Sequence, residues 1–113
     1  MVIETWSPKE TYALGEKIGR EALPGQVYTL NGDLGVGKTV FTQGVAAGLG
    51  IQEPVNSPTF TIVQVYDEGR MPFYHFDVYR IGDVEEIIPE NARHITIEKD
   101  LDKGFDYRRI TIE

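Results

Sequence analysis

The sequence predicts an α/β layer architecture built on a mixed sheet, and three observations carry that expectation. A strand-like run at Gln26–Asn31 leads into a glycine-rich turn at Gly32–Thr39 and then into a helical stretch at Lys38–Leu49. Strand, turn and helix in that order indicate helices layered on a sheet. Two later pairs of apolar runs are joined by turn residues and read as hairpins, so the sheet is not purely parallel. The chain has 113 residues, 41% of them apolar and 26% charged, which suits one small globular domain spanning 1–113.

The elements follow in order. Val2–Thr5 is a short β-type run. Ser7-Pro8-Lys9-Glu10 opens a helix: Ser7 can cap it, Pro8 suits its first position, and Glu10 completes a capping box. Leu14, Ile18 and Ala22 recur every four residues on one apolar face, and Pro24-Gly25 stops the helix. In Lys38–Leu49, Val40, Phe41, Val45 and Leu49 face inward, with Gly50 just past the end. Phe60–Tyr66 and Pro72–Tyr79 are strands around the turn Asp67–Arg70, and Gly82–Glu86 begins a helix. Arg93–Lys99 and Tyr107–Glu113 alternate apolar and polar residues around Asp102-Lys103-Gly104, which predicts a C-terminal antiparallel hairpin.

Composition excludes several function classes. Without cysteine there is no disulfide scaffold, thiolate zinc site or cysteine catalysis, and a reducing cytoplasm is the expected setting. No run reaches the ~18 apolar residues of a membrane span, and no signal peptide is expected at the N-terminus. A formal charge of −7 disfavours stand-alone nucleic-acid binding, which needs clustered cations.

The turn Gly32-Asp33-Leu34-Gly35-Val36-Gly37-Lys38-Thr39 matches G-x-x-x-x-G-K-[ST] in full. A chance match somewhere in such a chain is roughly half a percent, and this one lies between a strand and a helix as the motif requires. Glycines let the backbone approach an anion, successive N–H groups point at phosphate oxygens, and the helix adds its positive end. Lys38 can reach the terminal phosphates, and the Thr39 hydroxyl can ligate Mg²⁺. The expected nucleotide-binding set is Gly32, Asp33, Gly35, Val36, Gly37, Lys38, Thr39 and Val40. The expected fold is accordingly three-layered and P-loop NTPase-like.

Other polar groups admit two readings each. Asp77, at the end of PFYHFDVYR, can hold Mg²⁺ or its water opposite Thr39, or it can pair with Arg80 or cap a turn. His75 reads more readily as a sheet histidine than as a ligand. In Asn56-Ser57-Pro58-Thr59 a hydroxyl can sense the γ-phosphate, or the segment is simply a turn before a strand. Tyr66, Phe73, Tyr74, Phe76 and Tyr79 are expected to pack in the core rather than stack on bases.

Taken together, GDLGVGKT, SPTF and YHFDVYR at these separations resemble the bacterial TsaE (YjeE) family from about Ser7 to Glu86. The resemblance implies a small ATPase using ATP and Mg²⁺ in the formation of threonylcarbamoyladenosine in tRNA. It implies TsaB and TsaD as partners, with tRNA reached only through the complex and no membrane involved. It further implies Lys38 at the phosphates, Thr39 and Asp77 at the metal, Thr59 in a switch-like loop, and Thr11 near the nucleotide. One feature departs from the family. Asp83-Val84-Glu85-Glu86 runs almost directly into Ile87-Ile88-Pro89-Glu90, and the sole tryptophan is Trp6. The family's apolar strand that ends in an acidic residue before Trp, and with it a second metal-site carboxylate, has no counterpart. Loss of such a strand would leave core backbone groups unpaired, so a segment is expected to be missing near 86–87.

Three functions remain to be weighed: an ATP-hydrolysing accessory protein for tRNA modification, a small P-loop kinase of a metabolite, and a nucleotide-dependent binding module without useful turnover. The six arginines form no lid-like segment after the phosphate-loop helix, which disfavours the kinase. No residue stands out as a general base, so slow hydrolysis is expected of the chain alone.

Overall fold

The computed structural model describes residues 1–33, 35–55, 63–76 and 88–113. They form β1 (Val2–Thr5), α1 (Pro8–Glu21), β2 (Tyr28–Asn31), α2 (Lys38–Gly48), β3 (Val63–Tyr66), β4 (Phe73–Phe76), β5 (Arg93–Lys99) and β6 (Arg108–Ile112). A four-stranded sheet has the order β1-β6-β5-β2, and β3-β4 form a separate two-stranded sheet. β6 runs antiparallel to both β1 and β5, whereas β2 lies parallel to β5, so the sheet is mixed as expected. β2 begins at Tyr28 rather than Gln26, and β6 at Arg108 rather than Tyr107, because pairing to β5 fixes where each strand starts.

Helix α1 starts as its sequence dictates. Ser7 is the N-cap, Pro8 opens the first turn, and Ser7 Oγ accepts from the Glu10 amide at 3.1 Å. The Glu10 carboxylate accepts from the Trp6 amide at 3.3 Å, one residue before the Ser7 amide that a strict capping box would use. The C-terminal end is closed from a distance: the Arg70 guanidinium donates to the carbonyls of Gly19, Arg20 and Ala22 at 2.6–2.9 Å. A cation there complements the negative end of the helix.

The core lies between the sheet and the two helices. Ile95, Ile97, Ile110 and Ile112 are buried with Val36 and Phe41, and Leu14, Ile18, Leu30 and Val45 pack against them. β5 and β6 alternate strictly, so the same strands turn His94, Thr96, Glu98, Arg109 and Thr111 to the opposite face. A smaller cluster of Ala46, Leu49, Ile51, Val55 and Tyr66, with Phe73 against it, ties the C-terminal half of α2 to the β3–β4 hairpin. Here one expectation needs correction. Tyr66 is buried and Phe73 packs beside it, but Tyr74 and Phe76 are half exposed (56% and 50%). The two-stranded hairpin has only one covered face, and strand alternation places these two rings on the other.

The helix expected at Gly82–Glu86, the Glu86–Ile87 junction, and Thr59, Asp77 and Tyr79 lie outside the described residues. No helix among the described residues is long and apolar enough to cross a membrane.

Candidate functional site

β2 delivers the chain into the glycine-rich turn, and α2 leads it away. Gly35 and Gly37 both have positive φ, +82° and +103°. An L side chain at either position would be strained, which is why the motif requires glycine there. Gly32 is held for a different reason, since a Cβ on it would lie 2.8 Å from the Ile97 carbonyl oxygen and 2.7 Å from Val36 Cγ2. The loop therefore sits directly on β5. Its other internal tie runs from the Val36 amide to the Asp33 carbonyl, at 3.2 Å.

Gly37 is the N-cap of α2 and supplies no side-chain cap. The Phe41 amide donates to the Gly37 carbonyl at 3.0 Å, so the amides of Thr39 and Val40 precede the helical ladder. They stand at the positive end of the helix dipole. Lys38 Nζ donates to the Gly32 carbonyl at 2.7 Å, folding its ammonium back across the loop. Thr39 is exposed at the first turn, a hard oxygen donor of the kind Mg²⁺ prefers. Among the described residues no three His, Cys, Asp or Glu side chains converge on a cation site.

The expected residues are thus brought together unevenly. Gly32, Asp33, Gly35, Val36, Gly37, Lys38, Thr39 and Val40 lie together between the end of β2 and the first turn of α2. Val36 is a core residue at 3% exposure, and both its backbone groups are engaged, the amide with the Asp33 carbonyl and the carbonyl with Arg108, so it serves the loop as an anchor. Thr11 is buried at the β1–α1 junction. Its hydroxyl pairs with Thr5 Oγ1 at 2.7 Å and meets the Ser7 carbonyl at 3.3 Å, which gives it a structural task there. Asp77 and Thr59 fall outside the described residues.

Two residues of the C-terminal hairpin join the site that sequence reasoning had not included. Lys99 lines a hollow of about 510 Å³ with Asp33, Val36, Ile97 and Glu98. Arg108 Nε donates to the Val36 carbonyl at 2.6 Å. The strand alternation contained a signal for both: Lys99 continues the inward face of Ile95 and Ile97, and Arg108 that of Ile110 and Ile112. At this end of the hairpin the inward face opens to solvent: Lys99 is exposed and Arg108 half-buried, so both are accessible beside the loop.

Beside the site, a polar cluster ties the hairpin to β1. The Tyr107 hydroxyl donates to Glu4 at 2.7 Å, and Lys103 reaches the same carboxylate at 3.3 Å. The Tyr107 contact, and then Lys103, hold the Glu4 carboxyl below its ordinary range; the Glu4 contact in turn raises the Lys103 ammonium and the Tyr107 phenol.

Comparison with known proteins bears on the whole arrangement. The family model described as "Threonylcarbamoyl adenosine biosynthesis protein TsaE" matches residues 5–106. A protein of Bacillus subtilis named tRNA threonylcarbamoyladenosine biosynthesis protein TsaE is 55% identical over 82 residues, covering 73% of this chain and 52% of that protein. The protein of the same name from Borreliella burgdorferi is 38% identical over 112 residues, covering 99% of this chain and 81% of its own length. The crystal structure of Bacillus subtilis YdiB superposes with a TM-score of 0.82 at 36% identity, covering 99% of this chain and 83% of that one. The chain spans about half the length of several of the curated relatives it matches (52% and 51% for those of Bacillus subtilis and Nostoc).

Proposed function

The chain belongs to the TsaE family, and we propose that it binds and hydrolyses ATP as an accessory protein in the threonylcarbamoyladenosine modification of tRNA. One observation carries this reading above the others: an uncapped helix start, two positive-φ glycines and a lysine folded across them are assembled at one point. That is a cradle for polyphosphate.

In this reading the amides of Gly35 and of Gly37 through Val40 bind the β- and γ-phosphate oxygens. Lys38 leaves the Gly32 carbonyl for the phosphates and neutralises charge as the terminal phosphoryl group departs. Donors placed where charge develops act most strongly on the transition state. Thr39 and Asp77 would hold Mg²⁺, which supplies further charge neutralisation at the phosphates. Thr59 senses the γ-phosphate from its loop. The cradle positions and neutralises but contributes no general base, so turnover by the chain alone is slow. TsaB and TsaD are the proposed partners that turn this slow ATPase to use, in the cytoplasm, and tRNA is met only through them.

The test is ATP turnover by the purified protein with Mg²⁺, alone and with TsaB and TsaD, beside Lys38→Ala. Slow hydrolysis, stimulated by the partners and lost in the variant, supports the reading. Equal turnover by Lys38→Ala overturns it. ADP release that depends on an added metabolite would instead indicate a kinase, and binding without turnover in any combination would indicate a nucleotide-dependent module.

A further inference from the structure

The inward and outward faces of the C-terminal hairpin are charged in opposite ways. On the outward face Glu98 lies across from Arg109, and the two form an ion pair at 3.2 Å. On the inward face the next cross-strand pair is Lys99 opposite Arg108. Like charges directly opposite one another destabilise a sheet. This chain carries a formal charge of −7, with only eleven Lys and Arg residues to place. Two of those cations nevertheless face each other at the end of the hairpin that touches the phosphate loop.

Each of the pair has a distinct relation to the loop. Arg108 is engaged: besides its bond to the Val36 carbonyl, its Nη1 donates to the Tyr107 carbonyl at 2.7 Å and the Phe105 carbonyl at 3.0 Å. The peptide unit is planar and trans, so its C=O and N–H point in opposite directions. Holding the Val36 carbonyl toward Arg108 therefore fixes the direction of the Gly37 amide. Lys99 is not engaged: among the described residues it makes no hydrogen bond or ion pair, although Asp33 and Glu98 line the same hollow. Its Nζ stands 3.9 Å from where a Cβ on Gly35 would be.

We propose that the Lys99–Arg108 pair is the hairpin's half of the phosphate site, Lys99 contacting the terminal phosphates of a bound nucleoside di- or triphosphate and Arg108 positioning the loop through the Val36 carbonyl. The proposal deepens the nucleotide reading above and rests on it. A bound polyphosphate resolves the repulsion between the two cations, and the apo protein tolerates that repulsion for the sake of the ligand. Lys99 is a binding residue in this scheme; Arg108, which touches only the loop, is a positioning residue.

The experiment is calorimetric titration of ADP and of inorganic pyrophosphate into the full chain and its Lys99→Gln, Arg108→Gln, Arg108→Lys and Lys38→Ala variants. Each variant is also melted without ligand. Lys99→Gln should weaken both ligands about tenfold, the size of one charge-assisted contact, and flatten the salt dependence of binding. The same substitution should leave the apo melting temperature unchanged or raise it, because the repulsion is relieved. A purely structural lysine cannot weaken binding while sparing or raising stability. Arg108→Gln should weaken binding and shift the Gly37 amide resonance of glycine-labelled protein before any ligand is added, with partial recovery of both in Arg108→Lys. Wild-type affinity retained in Lys99→Gln, or an unmoved Gly37 amide in Arg108→Gln, overturns the proposal while leaving the nucleotide reading intact. If the wild type binds neither ligand, the nucleotide reading itself fails.

Discussion

Glycine is used in two opposite ways in this molecule. Where α1 crosses α2, Gly15 and Gly19 face Gly44 and Gly48, and the two backbones touch. A Cβ on any of the four would lie 2.1–2.3 Å from a carbonyl oxygen of the other helix. In the phosphate loop the reverse holds: a Cβ on Gly37 would meet nothing within 4 Å, yet its φ of +103° disfavours any L side chain. The helix glycines make room, and the loop glycines permit a backbone shape. The first requirement concerns the stability of the whole domain, the second a local arrangement of amides. Substitutions should separate the two, because packing faults are felt across a core while a strained turn is felt where it sits.

The largest expected effect belongs to the loop and leaves stability untouched. Lys38→Ala should lower ATP turnover by a factor on the order of 10²–10³, the range for removing a preorganised charge-stabilising donor. Its urea midpoint should match wild type; a large fall would mean that Lys38 is as structural as the helix glycines. Next comes Gly48→Ala, whose added carbon would meet the Glu16 carbonyl oxygen at 2.1 Å. Overpacking of this kind costs about 2–3 kcal/mol. Urea unfolding measures it, and ADP affinity of the folded fraction should stay near wild type. Gly37→Ala should cost less, about 1–2 kcal/mol for the left-handed conformation alone, while nucleotide binding drops sharply in titration. A Gly37→Ala loss of stability equal to that of Gly48→Ala would break the distinction.

The smallest effect lies outside both regions, at Glu4. Its carboxyl is held below its ordinary value by Tyr107 first and Lys103 second. A lowered carboxyl contributes stability above the unfolded-state value and loses it as pH falls through the folded-state value. Melting temperatures of Glu4→Gln should therefore lie slightly below wild type at neutral pH and converge with it in acid. Parallel curves across that range would remove Glu4 as the source.

Much of the site was legible because its determinants are local. The turn from Gly32 to Thr39 specifies its own backbone, and Ser7 with Glu10 announces the start of α1 within four residues. The alternation of Ile95 and Ile97 with polar neighbours placed the hairpin and its inward face. That same alternation pointed Lys99 and Arg108 inward, yet nothing nearby in sequence said what they would meet. The Val36 carbonyl is 72 positions from Arg108. The four-residue spacings of Gly15 with Gly19 and of Gly44 with Gly48 were equally visible without naming each other as partners. For Tyr74 and Phe76 the sequence suggested burial, and only the number of covered hairpin faces could say otherwise.

The sequence by itself determined the order and type of the main helices and strands, the capped start of α1, and the glycine-rich turn between β2 and α2. These follow from stereochemistry and from hydrogen bonds that close within a few residues. Tertiary structure alone decided that β5 lies between β2 and β6, that two glycine-faced helices meet backbone to backbone, and that a cationic pair from the hairpin reaches the loop. Such contacts join segments far apart in the chain and close only when burial of the whole core offsets the entropy of bringing them together. No local pattern carries that balance.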